Sequence, residues 1–585
     1  MEKIVNRILR FLVSLATVLG IIGWIQNDGM TLSFANIWLA IYKTVSLFLV
    51  SATFDHMPVH WSLAVAVYLA PAALAGSLLW GLIRQSREWI GSVWIHVFVR
   101  KHVIVAGTSM AARYFIQSKK DPKNKTAVVL IIPLAYRVPD SFGKVQGIHV
   151  IQGSLFETRT WKHAGMSFAS KILVFPEANS DIAEIAGAMR KVIKPSSPKK
   201  SVLDVTFMLD DSEAHWFYAE RNAVLGKSGE GLHFATASLA HTAAAALALE
   251  VAPHNGLKPA DLEKRTAHIV IEGWNRFAKA FLIEAGQLYH YPSQGLTRVS
   301  IVCTDAVALE RELSLIPGIN EVLAIEVLDL VTVRRKLKNS DGSLWESPPD
   351  RIIVFSDRLW IAPEAARVWR RHFVLRGNGC IYPLIDAIIP ASAIPDDLVP
   401  MIEDHSLFKD LGLSVHCIEE KYNWTELITR AGLIEMIAKG IFSQYDKANS
   451  NKPKWDVIPE SGKEQNRRSA RHLLIKFWYL NLKLEQGENG DSVPESDERR
   501  KLVIARMEHE RWMAEKRLGD FVSGSVHDDT IAKSYIKNVL RVNSNIIPFD
   551  ELNDNEKMKD YDTFLNFRGF IADADVKWKL VKNRT

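Results

Sequence analysis

Apolar and polar positions divide the chain into three stretches. Near the N-terminus, residues 11–27 carry no charge and 61–83 form a charge-free run of 23 residues. At about 1.5 Å per residue the longer run crosses about 30 Å of hydrocarbon, so both read as membrane helices. Between them, 34–54 is apolar apart from Lys43. From residue 101 the pattern changes to short buried runs separated by helical periods, the alternation of a parallel α/β sheet. Strands are expected at 101–106, 128–132, 149–151 and 171–175, then at 267–272, 299–303 and from 352 onward. Past a polar, proline-containing linker at 446–455, residues 467–484 and 498–518 read as helices joined by a loop at 487–494.

Charge placement orients the first stretch. Lys3, Arg7 and Arg10 precede the first run, and Arg84, Arg87, Arg100 and Lys101 follow the second, whereas the segment between them has only Lys43 as a basic residue. The positive-inside rule then puts both ends in the cytoplasm, with an even number of crossings. No small-x-small cleavage site follows Trp24, so the first run is read as a retained anchor and not a signal peptide. Segment 34–54 is either re-entrant or interfacial, as in a two-span pore module, or an external amphipathic cap. No TVGYG-like filter follows it. The link 84–100 is short enough to transmit a change from the α/β part.

The α/β stretch carries candidate chemistry at its strand ends. The first strand runs into Gly107, with Ser109 and Ala112 where a G-x-G-x-x-G turn has its other glycines. Such a strand, turn and helix bring backbone N–H groups and a helix dipole to a phosphate. The second strand ends at Pro133, not at the acid that holds ribose hydroxyls. The plan recurs at Gly273, Asn275 and Ala278. Gly107 and Gly273 are 166 residues apart, and the matched runs starting at Ile172 and Ile352 are 180 apart, which reads as an internal duplication. In the second copy Asp305 follows a strand, as a ribose contact or as a helix N-cap.

On the helix 498–518, His509 and Trp512 share a face at i, i+3 spacing. They read either as a core pair or as a recognition face with Trp512 as stacking platform. Met513 stands where an H-E-x-x-H zinc site needs its second histidine, which excludes metalloprotease chemistry at this position.

Composition bounds these readings. At 585 residues and 65.9 kDa the chain needs several domains. With 24% charged and 48% hydrophobic residues it is not a disordered sequence, and its mean hydropathy of zero reflects the apolar first stretch. The net charge of +6 arises from 72 basic and 66 acidic residues, so nucleic acid is not an expected partner. Three cysteines without C-x-x-C spacing exclude a disulfide scaffold or zinc ribbon, and no metal site is expected. Neither a P-loop nor a serine nucleophile elbow occurs, so the chain is not read as an enzyme and no residue is assigned as catalytic.

Two parts of the chain carry family resemblances. The run HVIVAGTSMAARYF, then VIQGSLFETRTWKHAGMSFASKILVFPEANSDIAEIAGAMR, resembles the TrkA-N domain, the Rossmann-like half of the regulator of potassium conductance (RCK) family, whose marker turn matches Gly153, Ser154, Ala164 and Gly165. The resemblance covers about 100–250 and more faintly 265–400. It implies a ligand such as NAD, ATP or a nucleotide second messenger, bound through Gly107, Ser109, Ala112, Gly153, Ser154, Gly273, Asn275 and Asp305. The C-terminal run with ARMEHERWMAEKRLGDF and Ile547–Leu552 is similar to the RyR domain. That likeness implies ligand sensing through Asn466, Arg467, His509 and Trp512, with Arg467 facing a phosphate, and such domains also occur in phage defence.

The expected architecture is therefore a membrane helical hairpin (1–100), two Rossmann-like units with parallel sheets (101–255 and 265–440) and a mostly helical RyR domain (450–585). The leading function is a ligand-sensing effector of the inner membrane, homo-oligomeric, in which a nucleotide-type ligand controls ion transport or permeabilisation. The alternatives are a scaffold with degenerate Rossmann units, or a membrane-tethered NAD-dependent oxidoreductase.

Overall fold

The computed structural model describes residues 2–49, 58, 60–85, 95, 99–107, 112, 115–116, 126–134, 136, 147–193, 203–209, 231–293, 295–339, 344–375, 383–390, 393–394, 398, 401, 408–421, 432–447, 455, 458, 460–487, 498–524, 540–565 and 578–582. The chain forms two compact units, Met1–Arg100 and Lys101–Thr585. Most of the link 84–100 lies outside the described residues.

The first unit holds helices α1 (Glu2–Asn27), α2 (Phe34–Phe48) and α3 (Trp61–Gln85). Two of them, over Arg7–Asn27 and Trp61–Trp80, are long and apolar enough to cross a bilayer. Both leave large apolar side chains uncovered, among them Phe11, Val18, Leu78 and Leu79, unlike the core helices of a soluble protein. Glycines let the helices approach closely. A Cβ on Gly23 would lie 2.6 Å from the Leu63 backbone nitrogen, and one on Gly20 would lie 2.6 Å from the Thr44 methyl. Ser33 caps α2 by accepting from the Asn36 N–H. The helix then doubles back along α1, so that Lys43 meets Asp28 at 2.6 Å and lies over the Trp24 ring, while Thr44 meets Gly20. By His60 the chain has returned to the end of α1, where the His60 N–H donates to the Asn27 side chain.

The second unit contains two six-stranded sheets with every pairing parallel. In the first, β1 (Val103–Ala106), β2 (Val128–Ile132), β3 (Ile148–Gln152), β4 (Lys171–Val174), β5 (Leu203–Leu209) and β6 (Leu232–Ser238) lie in the order β3-β2-β1-β4-β5-β6. Helix α4 (Leu239–Glu250) comes next. The second sheet holds β7 (His268–Glu272), β8 (Arg298–Cys303), β9 (Ala324–Asp329), β10 (Arg351–Phe355), β11 (Leu384–Ile389) and β12 (Leu413–Cys417), and its order β12-β11-β10-β7-β8-β9 is the same plan. Both are doubly wound Rossmann sheets, with a topological switch between the first and fourth strands. Helix α5 (Arg276–Leu288) leaves β7, and α6 (Ala306–Ser314) and α7 (Leu330–Asn339) flank β9. One apolar core runs from Leu130 and Leu247 through Phe281 and Ala285 to Leu473 and Ile504, so both sheets and the C-terminal helices fold around shared contacts.

The C-terminal part consists of α8 (Leu433–Lys447), α9 (Glu460–Tyr479), α10 (Glu498–Leu518), α11 (Asp554–Leu565) and two small sheets. The helix expected over 467–484 begins earlier and stops at Tyr479. Asn481 adopts a left-handed φ of 56°, and Leu482–Gln486 forms β13, paired antiparallel with the strand Trp578–Lys582. The left-handed residue breaks the helix, and a strand from almost a hundred residues away captures the residues after the break. Residues 446–447 extend α8 into the expected linker. Helix α10 has the expected bounds.

Candidate functional site

The first sheet's carboxyl edge is shaped by glycines. The Gly107 N–H donates to the Ile131 carbonyl and the Gly153 N–H to the Ile132 carbonyl, so both turns hang from the end of β2. Gly107 has φ +118°, and a Cβ there would lie 2.2 Å from the Phe175 carbonyl oxygen at the end of β4. No L side chain fits this position, which lies at the switch point where doubly wound sheets bind ligands. Ala112 is buried in the apolar core. Ser109 lies outside the described residues. Gly153 is tight against Thr160, and the Ser154 hydroxyl accepts from the Phe156 N–H at 3.3 Å, which gives this pair a loop-shaping part. After β2 come Pro133 and an exposed Leu134, so no carboxylate stands directly at that strand end.

The second sheet repeats the glycine and closes the rest. Gly273 has φ +90°, and a Cβ there would lie 2.2 Å from the Phe355 carbonyl oxygen. The Asn275 side-chain oxygen, however, accepts from the Phe277 and Ala278 N–H groups at 3.0 Å each, and its amide donates to Asp357. Those are the amides that a phosphate at the start of α5 would need. Asp305, the second candidate here, takes its helix-cap reading, accepting from the Ala308 N–H at 2.9 Å. Beneath the turn Glu272 is buried against Arg334 and Trp369, and burial raises its carboxyl above the usual range despite both partners.

The four C-terminal candidates fall in two places. Asn466 bonds to its own helix through the Gly462 carbonyl. Arg467 donates to Glu435 on α8 at 2.6 Å and to Glu464 at 3.2 Å, so carboxylates of this chain stand where a phosphate was expected. Buried His509 bonds to the Ile547 carbonyl at 2.8 Å and stacks on Trp512, whose ring has the Lys516 ammonium on it as well. Phe549 also packs against His509. This is the packed-pair reading, with Trp512 only half-buried.

Sequence reasoning missed two buried ion clusters, one between α9 and α10 and one joining α9 to α4 and α5. Glu508 on α10 accepts from Lys476 at 2.7 Å, from Arg511 at 3.0 Å and from Ser469, with His472 beside it. Burial would raise this carboxyl, but Arg511 and Lys476 hold it well below the usual range. Glu284 on α5 meets His241 on α4 and Arg468 and Arg471 on α9, which also lower it against burial. For Glu284 the legible signal was a carboxylate between apolar neighbours, as in AFLIEAG. Among the described residues no group of three or more His, Cys, Asp and Glu is placed to hold a metal ion.

No protein-family model and no curated protein matches the sequence. Solved structures overlap it loosely. The GsuK channel bound to NAD is 11% identical, with a TM-score of 0.36 over 85% of this chain and 89% of that one. GsuK bound to ADP is 13% identical, with a TM-score of 0.34 over 71% and 94%. A dipicolinate synthase chain from Bacillus halodurans is 10% identical, with a TM-score of 0.21 over 55% and 94%. The strand order and parallel pairing of this chain's own sheets define its fold.

Proposed function

We propose that the chain is a ligand-sensing membrane effector: the first α/β unit binds an anionic nucleotide at the carboxyl edge of its sheet, and binding changes the helical hairpin. The observation that carries this reading is Gly107 at the switch point of a doubly wound sheet, in a chain that also holds two bilayer-length apolar helices. Nucleotide binding at this place is the common use of the fold, and ADP and NAD are the first ligands to try. The course of α2, back along α1 and out again by His60, supports a re-entrant segment between two spans, the arrangement of a pore-forming hairpin. Two spans per chain cannot enclose a pore alone, so the working form is a homo-oligomer in the inner membrane. Ligand must favour one arrangement of the cytoplasmic part over another to act on the helices.

A second role is favoured for the second α/β unit. Asn275 and Asp305 already satisfy the helix N-termini at its crevice, which suits a scaffold that couples the first α/β unit to the C-terminal helices through α5.

Titration calorimetry on the detergent-solubilised full chain with NAD, ADP, ATP and a cyclic dinucleotide tests this. One of them should bind, and Ser109→Glu, which adds a carboxylate at the second position of the glycine-turn pattern, should abolish the heat. Binding that survives S109E moves the site away from the first crevice, and no binding to any of the four overturns the reading.

A further inference from the structure

Helix α4 closes the first α/β unit, and its last residue, Glu250, meets the second sheet at a polar junction. His416 on β12 stands at the centre. Its Nε2 lies 3.0 Å from Asp386 on β11 and its Nδ1 lies 3.5 Å from Glu250. Arg351 on β10 holds Asp386 from behind at 2.7 Å and donates to the Ala252 carbonyl just beyond α4. Lys421, in the short turn after β12, meets Glu250 at 2.6 Å. Asp386, Glu250 and Lys421 therefore face the imidazole, with Arg351 one step removed.

A neutral imidazole has one N–H and one lone pair. Whichever nitrogen carries the proton, the other points its lone pair at a carboxylate. Only the imidazolium donates to both. The geometry points to His416 as a proton-controlled latch between the two α/β units: protonated, it bridges Asp386 of the second unit to Glu250 of the first, and on losing its proton it releases one of them. Burial pushes the group down and Lys421 opposes its charge, yet the bonds to Asp386 and Glu250 outweigh both and raise it above its ordinary value. His254, His268, His290 and His472 respond oppositely, pushed down by burial. A raised histidine stabilises below its unfolded value near 6.5 and loses that effect as pH climbs through its folded value. Joint stiffness therefore falls on the alkaline side, whatever ligand the first crevice takes.

Hydrogen exchange on the full chain in detergent, corrected for intrinsic rates, reads the latch in peptides spanning 239–252 and 413–421. Between about pH 6 and about pH 9 their protection should fall about tenfold in the wild type and stay level in His416→Gln. Glu250→Gln, at a half-exposed site, gives the same reading should H416Q fail to fold. Level protection in the wild type, or an equal fall in a folded variant, overturns the proposal.

Discussion

Gly107 and Gly273 hold the same position in their sheets: a Cβ on either would lie 2.2 Å from a carbonyl oxygen of the fourth strand's end, that of Phe175 and of Phe355. The shared close approach makes the internal duplication a matter of backbone geometry. It also explains why the first glycine of the turn is kept in both copies while the second position varies, Ser109 in one and Asn275 in the other. Gly273→Ala should therefore cost at least about 2 kcal/mol, from the left-handed backbone and the clash together. Urea unfolding of the full chain checks this, and a loss under about 0.5 kcal/mol would show that the turn relaxes freely.

Asn275 gives a separable test of the second crevice. Asn275→Ala removes a cap and should lower stability by about 1 kcal/mol. It also frees two helix-terminal amides, so inorganic phosphate should stabilise the variant more than the wild type in thermal melts. Equal phosphate response in both proteins would mean that the cap does not close the site.

Acid should weaken the Lys101–Thr585 unit in two steps. His254 and His290 are pushed to about 3, and His268 and His472 to about 4, by burial. Their unfolded forms take up protons below 6.5 while the folded forms do not, so stability falls as pH drops, by up to about 1.4 kcal/mol per pH unit for each. Glu464, which burial would raise, is held to about 2 by Arg471 and Arg467, and Glu508 is also held low. The contribution of these carboxylates is present above 4.5 and is lost as pH falls below it. Urea midpoints measured from about pH 6 down to about pH 4, below the range in which His416 takes up its proton, should decline throughout, and a flat profile would contradict the burial of these histidines.

The doubling back of α2 has a direct chemical readout. Gly20 and Thr44 are close enough that an added Cβ would lie 3.3 Å from the Thr44 Cβ, near disulfide spacing. The pair Gly20→Cys and Thr44→Cys should cross-link on mild oxidation, seen as a gel shift reversed by reductant. A pair at Gly20 and His60, which the chain keeps apart, should not. No cross-link in the Gly20 and Thr44 pair would make α2 a cap lying across the end of α1.

What the sequence determined on its own was local. Charge-free runs gave the two long helices, and buried runs ending at glycine gave the leading strands of both sheets, because period and turn chemistry are written in neighbouring residues. Helix α10 was legible for the same reason, its i, i+3, i+4 face being complete within its own 21 residues. Strands β5, β6, β9, β11 and β12 went unread, since their short or alternating runs gain their meaning from the strands beside them. The tertiary structure alone decided the fate of the charges. Arg467 was open to a phosphate until Glu435, from the preceding helix, took it at 2.6 Å. His416 became a bridge only when packing set Glu250 and Asp386, far apart in the chain, on its two ring nitrogens. A side chain's type is local, but the partner that fixes its charge and hydrogen bonds is delivered by packing across the chain, and one-dimensional patterns do not record it.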